Sequence, residues 1–190
     1  MNARMRRLLS DYEKVRTEFA GHKYIDVDPI GGQPPERYRV TFKLKGLRWD
    51  KAQNRPIVVS NHVAEITLHQ EYPREKPQCR LLTEIWHPNF GPYICIGDHW
   101  AAGETLADVI VQIGDMIQYK SYNPKSPLNG LAARWALDNR AYLPVGNIDL
   151  YQAEPDITLE EWADEKDDEP EIELSDAPSG RGGDVDIQLS

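Results

Sequence analysis

The chemistry this chain could perform is concentrated between residues 87 and 95, which read His87-Pro88-Asn89-Phe90-Gly91-Pro92-Tyr93-Ile94-Cys95. Cysteine supplies a nucleophile able to hold an acyl group as a thioester. A side-chain amide a few residues earlier supplies a neutral donor for the oxyanion that forms when that group moves on. A thiol without an adjacent base is a few per cent thiolate near neutral pH, enough for exchange between thioesters.

Other uses of these residues are weaker. A cysteine taken alone is more often a buried packing residue. A metal site built from His87, Cys95 and His99 lacks a fourth ligand at convincing spacing, so no metal and no cofactor are expected. A hydrolase pairing Cys95 with His99 lacks the helix-opening cysteine motif such enzymes use. Phosphate-loop and dinucleotide motifs are absent, and no basic-aromatic stripe points to nucleic acid.

The elements that must position this stretch follow from periodicity. Met5, Leu8, Leu9, Tyr12, Val15 and Phe19 recur at three- and four-residue spacing, an amphipathic helix ending near Gly21. Tyr38, Val40, Phe42 and Leu44 alternate with polar residues in a strand. Ala64, Ile66 and Leu68 do so in a second strand, and Cys79 to Ile85 forms a third. Gly31-Gly32, Pro34-Pro35 and the Trp49–Pro56 stretch read as breaks. Short connections imply an antiparallel meander. Thr105 with Asp108 makes a capping pair for a helix whose apolar face is Leu106, Val109, Ile110, Ile113, Met116 and Ile117. A last helix is expected over 128–139, with Leu131, Ala132, Trp135 and Ala136 inward. The class is α+β, one sheet covered by helices.

Charge divides the chain. Of 190 residues with a net charge of -9, residues 153–190 hold 14 Asp/Glu against two Lys/Arg, leaving the remainder mildly basic. Domains are expected at 1–145 (catalytic) and 146–190 (an acidic, flexible tail), the tail being too polar to offset its chain entropy. The Gly182-Gly183 pair in it reads as linker. No apolar run is long enough to span a bilayer, and the two cysteines, Cys79 and Cys95, have no framework spacing, so a cytoplasmic protein with free thiols is expected.

Taken together, the motifs resemble the ubiquitin-conjugating enzymes. The resemblance runs from Arg4 to Asn139 and rests on Tyr72-Pro73 with Pro77, His87-Pro88-Asn89 and Ile94-Cys95-Ile96. Trp100 and Asn123-Pro124-Lys125-Ser126-Pro127-Leu128 complete it. It implies the fold of that family: an N-terminal helix, a four-stranded antiparallel meander, an active-site loop and C-terminal helices. It also implies that Cys95 takes a ubiquitin-like modifier from an activating enzyme and passes it to an amine of a target protein, with a ligase where one is required. Asn89 would bond the oxyanion or order the loop, and His87 would give structural support to the turn. Arg6 and Arg7 on the basic first helix would dock the activating enzyme.

This chain also departs from the family. His87 and Cys95 stand closer together than in many members, implying a tighter loop. Gly97 stands where an acidic residue is frequent, with Asp98 one further on. Ser126 takes the place of a frequent Asp that meets the incoming lysine, leaving Ser126, Asp98, Tyr122 or a partner protein to orient the acceptor, or implying an acceptor other than a typical lysine. These departures resemble the divergent conjugating-enzyme-like proteins of bacterial modification operons, some with antiphage roles. The rival reading from another class is a catalytically silent conjugating-enzyme-like module that binds a modifier or scaffolds a complex.

Overall fold

The computed structural model describes residues 2–97 and 100–151. Helix α1 (Ala3–Glu18) starts where the Asn2 side chain accepts the Met5 N–H, satisfying one of the orphan donors of its first turn. Its stripe of Leu8, Val15 and the following Phe19 is buried. The chain then turns at Gly21, whose φ of +65° suits a residue without Cβ.

Six strands follow: β1 (Ile25–Ile30), β2 (Arg37–Phe42), β3 (Gly46–Asp50), β4 (Arg55–Val59), β5 (His62–Thr67) and β6 (Gln78–Leu81). The main sheet has four antiparallel strands in the order β1-β2-β5-β6, and β3 pairs with β4 in a separate ribbon. The ribbon is the outer end of the β2–β5 hairpin. Phe42 faces His62 and, further out, Gly46 faces Val59, so three residues (43–45) on one arm oppose two (60–61) on the other. One extra residue bends and twists a hairpin out of its sheet, and Asn61 takes a φ of +71° there.

Two sequence expectations change here. Trp49–Pro56, read as a break, is the tip of this paired ribbon, with Trp49 opposite Pro56. Residues 25–30 form an edge strand that alternation alone does not reveal, because Asp26, Asp28 and Pro29 dilute it. Pro29 is tolerated because the strand has a partner on one side only.

The inward face of the sheet (Tyr38, Val40, Phe42, Ala64, Ile66, Cys79) belongs to one buried cluster with Leu106, Val109, Ile110, Ile113 and Ile117 of α2 (Leu106–Ile117). Thr105 and Asp108 form the expected capping box. Helix α3 (Gly130–Asp138) differs from expectation: Leu131 is 73% exposed, and Ala132, Ala133 and Ala136 form the docked stripe. Small residues let the helix approach Leu47 and Tyr119 closely, which turns Leu131 outward. A 3-10 turn at Arg140–Tyr142 follows.

Packing continues past residue 145. Buried Gln118 accepts the Ile148 N–H at 2.8 Å and donates to its carbonyl at 3.1 Å. Leu150 is buried against Gly114 of α2, where an added Cβ would meet Leu150 Cδ1 and force that side chain to shift. The rest of the acidic segment, including Gly182-Gly183, lies outside the described residues. Among the described residues no helix is long and apolar enough to cross a membrane.

Candidate active site

His87 is fully buried and organises the turn. Its Nδ1 accepts the Asn89 N–H at 3.0 Å, and its ring packs on Phe90 and Tyr119 with centroids 4.8 and 4.5 Å away. Burial lowers its pKa to about 3, against a smaller opposing pull from the Ser121 backbone. The imidazole is therefore neutral near pH 7. With Nδ1 accepting, the proton sits on Nε2, which finds no partner at hydrogen-bond geometry. What the structure shows of the ring is packing and one accepted hydrogen bond within the turn.

The loop closes tightly on itself. Phe90 and Ile94 form an antiparallel bridge, Cys95 N–H donates to the Asn89 carbonyl at 2.9 Å, and Ile94 N–H donates to the Cys79 carbonyl of β6 at 2.7 Å. The Pro88 carbonyl accepts from the N–H groups of Leu128 and Asn129 at 2.8 and 2.9 Å. The His-Pro-Asn turn is thus stitched to the sheet edge on one side and to the start of α3 on the other.

Asn89, 3% exposed, reaches across to the connection between α2 and α3. Its Oδ1 accepts the Asn123 N–H at 2.7 Å, while Nδ2 donates to the Asn123 carbonyl at 2.9 Å and, at a weaker 3.4 Å, to the Ser126 carbonyl. Both ends of the amide are engaged in ordering the loop.

Cys95 is half-buried and opens onto a groove of about 320 Å³ with Asn89, Gln112, Met116, Tyr122 and Ser126. Cys79 is the opposite case: buried in the core, its thiol pKa is pushed up to about 12, so it stays protonated and inert. Beyond Cys95 the backbone is held from two sides. Gln112 Nε2 of α2 donates to the Ile96 carbonyl at 2.7 Å, and Lys76 Nζ donates to the Gly97 carbonyl at 2.6 Å. Gly97 has a φ of +106°, a conformation side chains resist, which accounts for glycine at this position. Trp100 Nε1 donates to the Pro73 carbonyl at 2.7 Å and its ring meets Tyr72.

The remaining expected residues separate. Ser126 is exposed on the groove rim and Tyr122 meets both Tyr119 and His87 edge-on. Among the described residues lining the groove there is no carboxylate. Asp98 and His99 lie outside the described residues. On α1, Arg6 is exposed, whereas Arg7 turns inward. The Arg7 guanidinium bonds Asp11 at 2.7 Å, Tyr72 Oη at 3.0 Å and the carbonyls of Ala102 and Glu104. Asp11, 1% exposed, also accepts from Tyr72 Oη at 2.5 Å and from the Leu106 N–H at 3.1 Å. Arg7 thus belongs to a largely buried junction of α1, α2 and the 69–77 loop, where its guanidinium is engaged within the chain. Asp11 and Gln112 escape a reading by periodicity. The one signal for Asp11 is a polar residue interrupting an inward apolar stripe, whereas Gln112 lies on the half-exposed face of α2 with Asp108 and Asp115.

With this geometry in hand, the likeness to known proteins is specific. Residues 59–143 match a sequence model of the family described as ubiquitin-conjugating enzyme. Ubiquitin-conjugating enzyme E2-22 kDa of Drosophila melanogaster is 32% identical over 77 residues, 37% of this chain and 38% of that protein. Ubiquitin-conjugating enzyme E2 K of Homo sapiens is 32% identical over 75 residues, 36% of each. Ubiquitin-conjugating enzyme E2 13 of Saccharomyces cerevisiae is 27% identical over 114 residues, 57% of this chain and 73% of that one. The matches to the first two span less than two fifths of those relatives. Among solved structures, the E2 domain of a Toxoplasma gondii ubiquitin conjugating enzyme covers 73% of this chain and 88% of its own, at 21% identity and a TM-score of 0.48. The fold is the ubiquitin-conjugating one, and the segment 59–143, which includes His87, Asn89, Cys95 and Ser126, is similar to the ubiquitin-conjugating enzymes.

Proposed function

We propose that this chain is a conjugating enzyme that takes a ubiquitin-like modifier from an activating enzyme as a thioester on Cys95 and passes it to an amine of a target protein. Loading exchanges one thioester for another: Cys95 Sγ attacks the activating enzyme's thioester carbonyl, and the activating enzyme's thiolate leaves. In delivery the amine nitrogen attacks that carbonyl, the Cys95 thiolate departs, and the amine proton leaves to solvent or a partner's base. The observation that carries this reading is the contrast between the two thiols. Cys95 lines an open groove on a tightly braced loop, while Cys79 is buried and kept protonated. A silent binding module has no need of that arrangement.

Asn89 is read as the residue that orders the loop around the thioester, since its amide is engaged by Asn123 and Ser126. Arg6, exposed on α1, is read as the docking residue for the activating enzyme, and Ser126, Tyr122 and Asp98 as candidate groups for orienting the acceptor. A cytoplasmic setting, a bacterial modification operon and an antiphage role belong to the same proposal. The relatives named above are all eukaryotic, so that setting rests on the divergence at Gly97 and Ser126, and reading the neighbouring genes tests it.

The test of the chemistry is an incubation with activating enzyme, modifier and ATP, resolved on a non-reducing gel. The expected result is a thiol-sensitive adduct that Cys95→Ala abolishes and Cys79→Ala leaves. No adduct with a competent activating enzyme would overturn the reading in favour of the silent module.

A further inference from the structure

The backbone on either side of Cys95 is held by two different devices. Before it, its own N–H is bonded to the Asn89 carbonyl of the turn. After it, the Ile96 carbonyl takes the Gln112 amide from α2. Gln112 sits between Val111 and Ile113, both buried, on a helix that is otherwise packed into the core and locked at its start by a capping box. A rigid helix is a better reference than a loop for a side chain that must be aimed. The second holder, Lys76, is half-buried and reaches Gly97 through a solvent-exposed bond with a longer, freer side chain. Without the Gln112 bond, the carbonyls of residues 96–97 would keep, among the described residues, only the Lys76 side-chain contact, and a glycine at positive φ has little conformational preference of its own.

We propose that Gln112 is a positioning residue: its amide ties the segment after Cys95 to α2 and so holds Sγ toward the groove in the orientation from which an acyl group is transferred. This rests on the acyl-transfer reading above. Gln112 bonds main chain, so it acts through the orientation of Cys95 and is not itself a reacting group. Losing one neutral hydrogen bond corresponds to roughly a three- to tenfold change in the population of the aligned state.

The test compares the full-length wild type, Gln112→Met (similar length, no donor) and Gln112→Lys (a donor retained). Each is loaded, separated from the activating enzyme and discharged onto free lysine in a single turnover. Gln112→Met should discharge roughly three- to tenfold more slowly at saturating lysine, with the half-saturating lysine concentration unchanged and the melting temperature close to wild type. Its backbone amides at 95–97 should exchange with solvent faster by a similar factor, and Gln112→Lys should recover both. Wild-type discharge by Gln112→Met, or equal slowing in both variants, overturns the inference. If the wild type forms no thioester, the proposed function falls, and amide exchange unchanged in Gln112→Met then overturns the clamp independently.

Discussion

Asn89 and Asn123 exchange two hydrogen bonds across 34 positions of sequence, the side-chain oxygen and nitrogen of one gripping the backbone N–H and carbonyl of the other at 2.7 and 2.9 Å. A single amide thereby joins the loop that carries Cys95 to the connection between α2 and α3. Because both atoms are spent on this grip, an oxyanion could take the Nδ2 donor only by giving up the weaker 3.4 Å contact with Ser126.

Replacing Asn89 with alanine would leave the Asn123 N–H without its partner in a half-buried setting, a loss of about 1–3 kcal/mol. Urea unfolding should show that drop. Delivery should suffer more than loading, by on the order of 10²-fold if the amide also serves the oxyanion and by only about tenfold if ordering is its whole role. Single-turnover discharge of Asn89→Ala separates the two.

His87 should make stability depend on pH in one direction. Its pKa lies near 3 in the folded protein and near the ordinary 6.5 when unfolded, so the unfolded chain binds the extra proton between those values. The contribution is complete above about pH 6.5 and is lost as pH falls toward 3, on the order of 2 kcal/mol by pH 5. Buried His62, also shifted down by desolvation, adds in the same sense. The imidazole resonances of His87 should stay at neutral-ring positions down to about pH 4, and a ring that titrates near 6.5 in the native state would contradict the structure.

Arg6 and Arg7 should behave oppositely despite their adjacency. Arg7→Ala removes a guanidinium bonded to Asp11 and Tyr72 and should cost about 1–3 kcal/mol of stability, visible in thermal or urea unfolding. Arg6→Ala should change stability by less than about 0.5 kcal/mol while raising the concentration of activating enzyme needed for half-maximal loading. Equal effects of the two variants on stability would refute the buried junction.

Periodicity exposed α1, α2 and strands β2, β5 and β6, because each presents one apolar face at regular spacing to a single core. It missed β1, whose aspartates and proline suit a sheet edge, and it misread β3–β4, because a bulge at 43–45 bends the hairpin away from the core that would impose alternation. Leu131 shows a related failure: the apolar residue lies outside and three alanines lie inside, since close approach of α3 selects for smallness.

Residue type and order by themselves singled out the candidate chemistry. A thiol follows a His-Pro-Asn turn, a second cysteine sits in a strand, and no metal-type or phosphate-loop spacing competes. Only the tertiary structure decided which groups are free to act. It buried Cys79, drew Arg7 into a junction with Asp11 and Tyr72, spent the Asn89 amide on Asn123, and brought Gln112 to the carbonyl beside Cys95. The physical reason is that burial and partner geometry depend on contacts between residues tens of positions apart, whereas sequence spacing reports only on neighbours along one helix or strand.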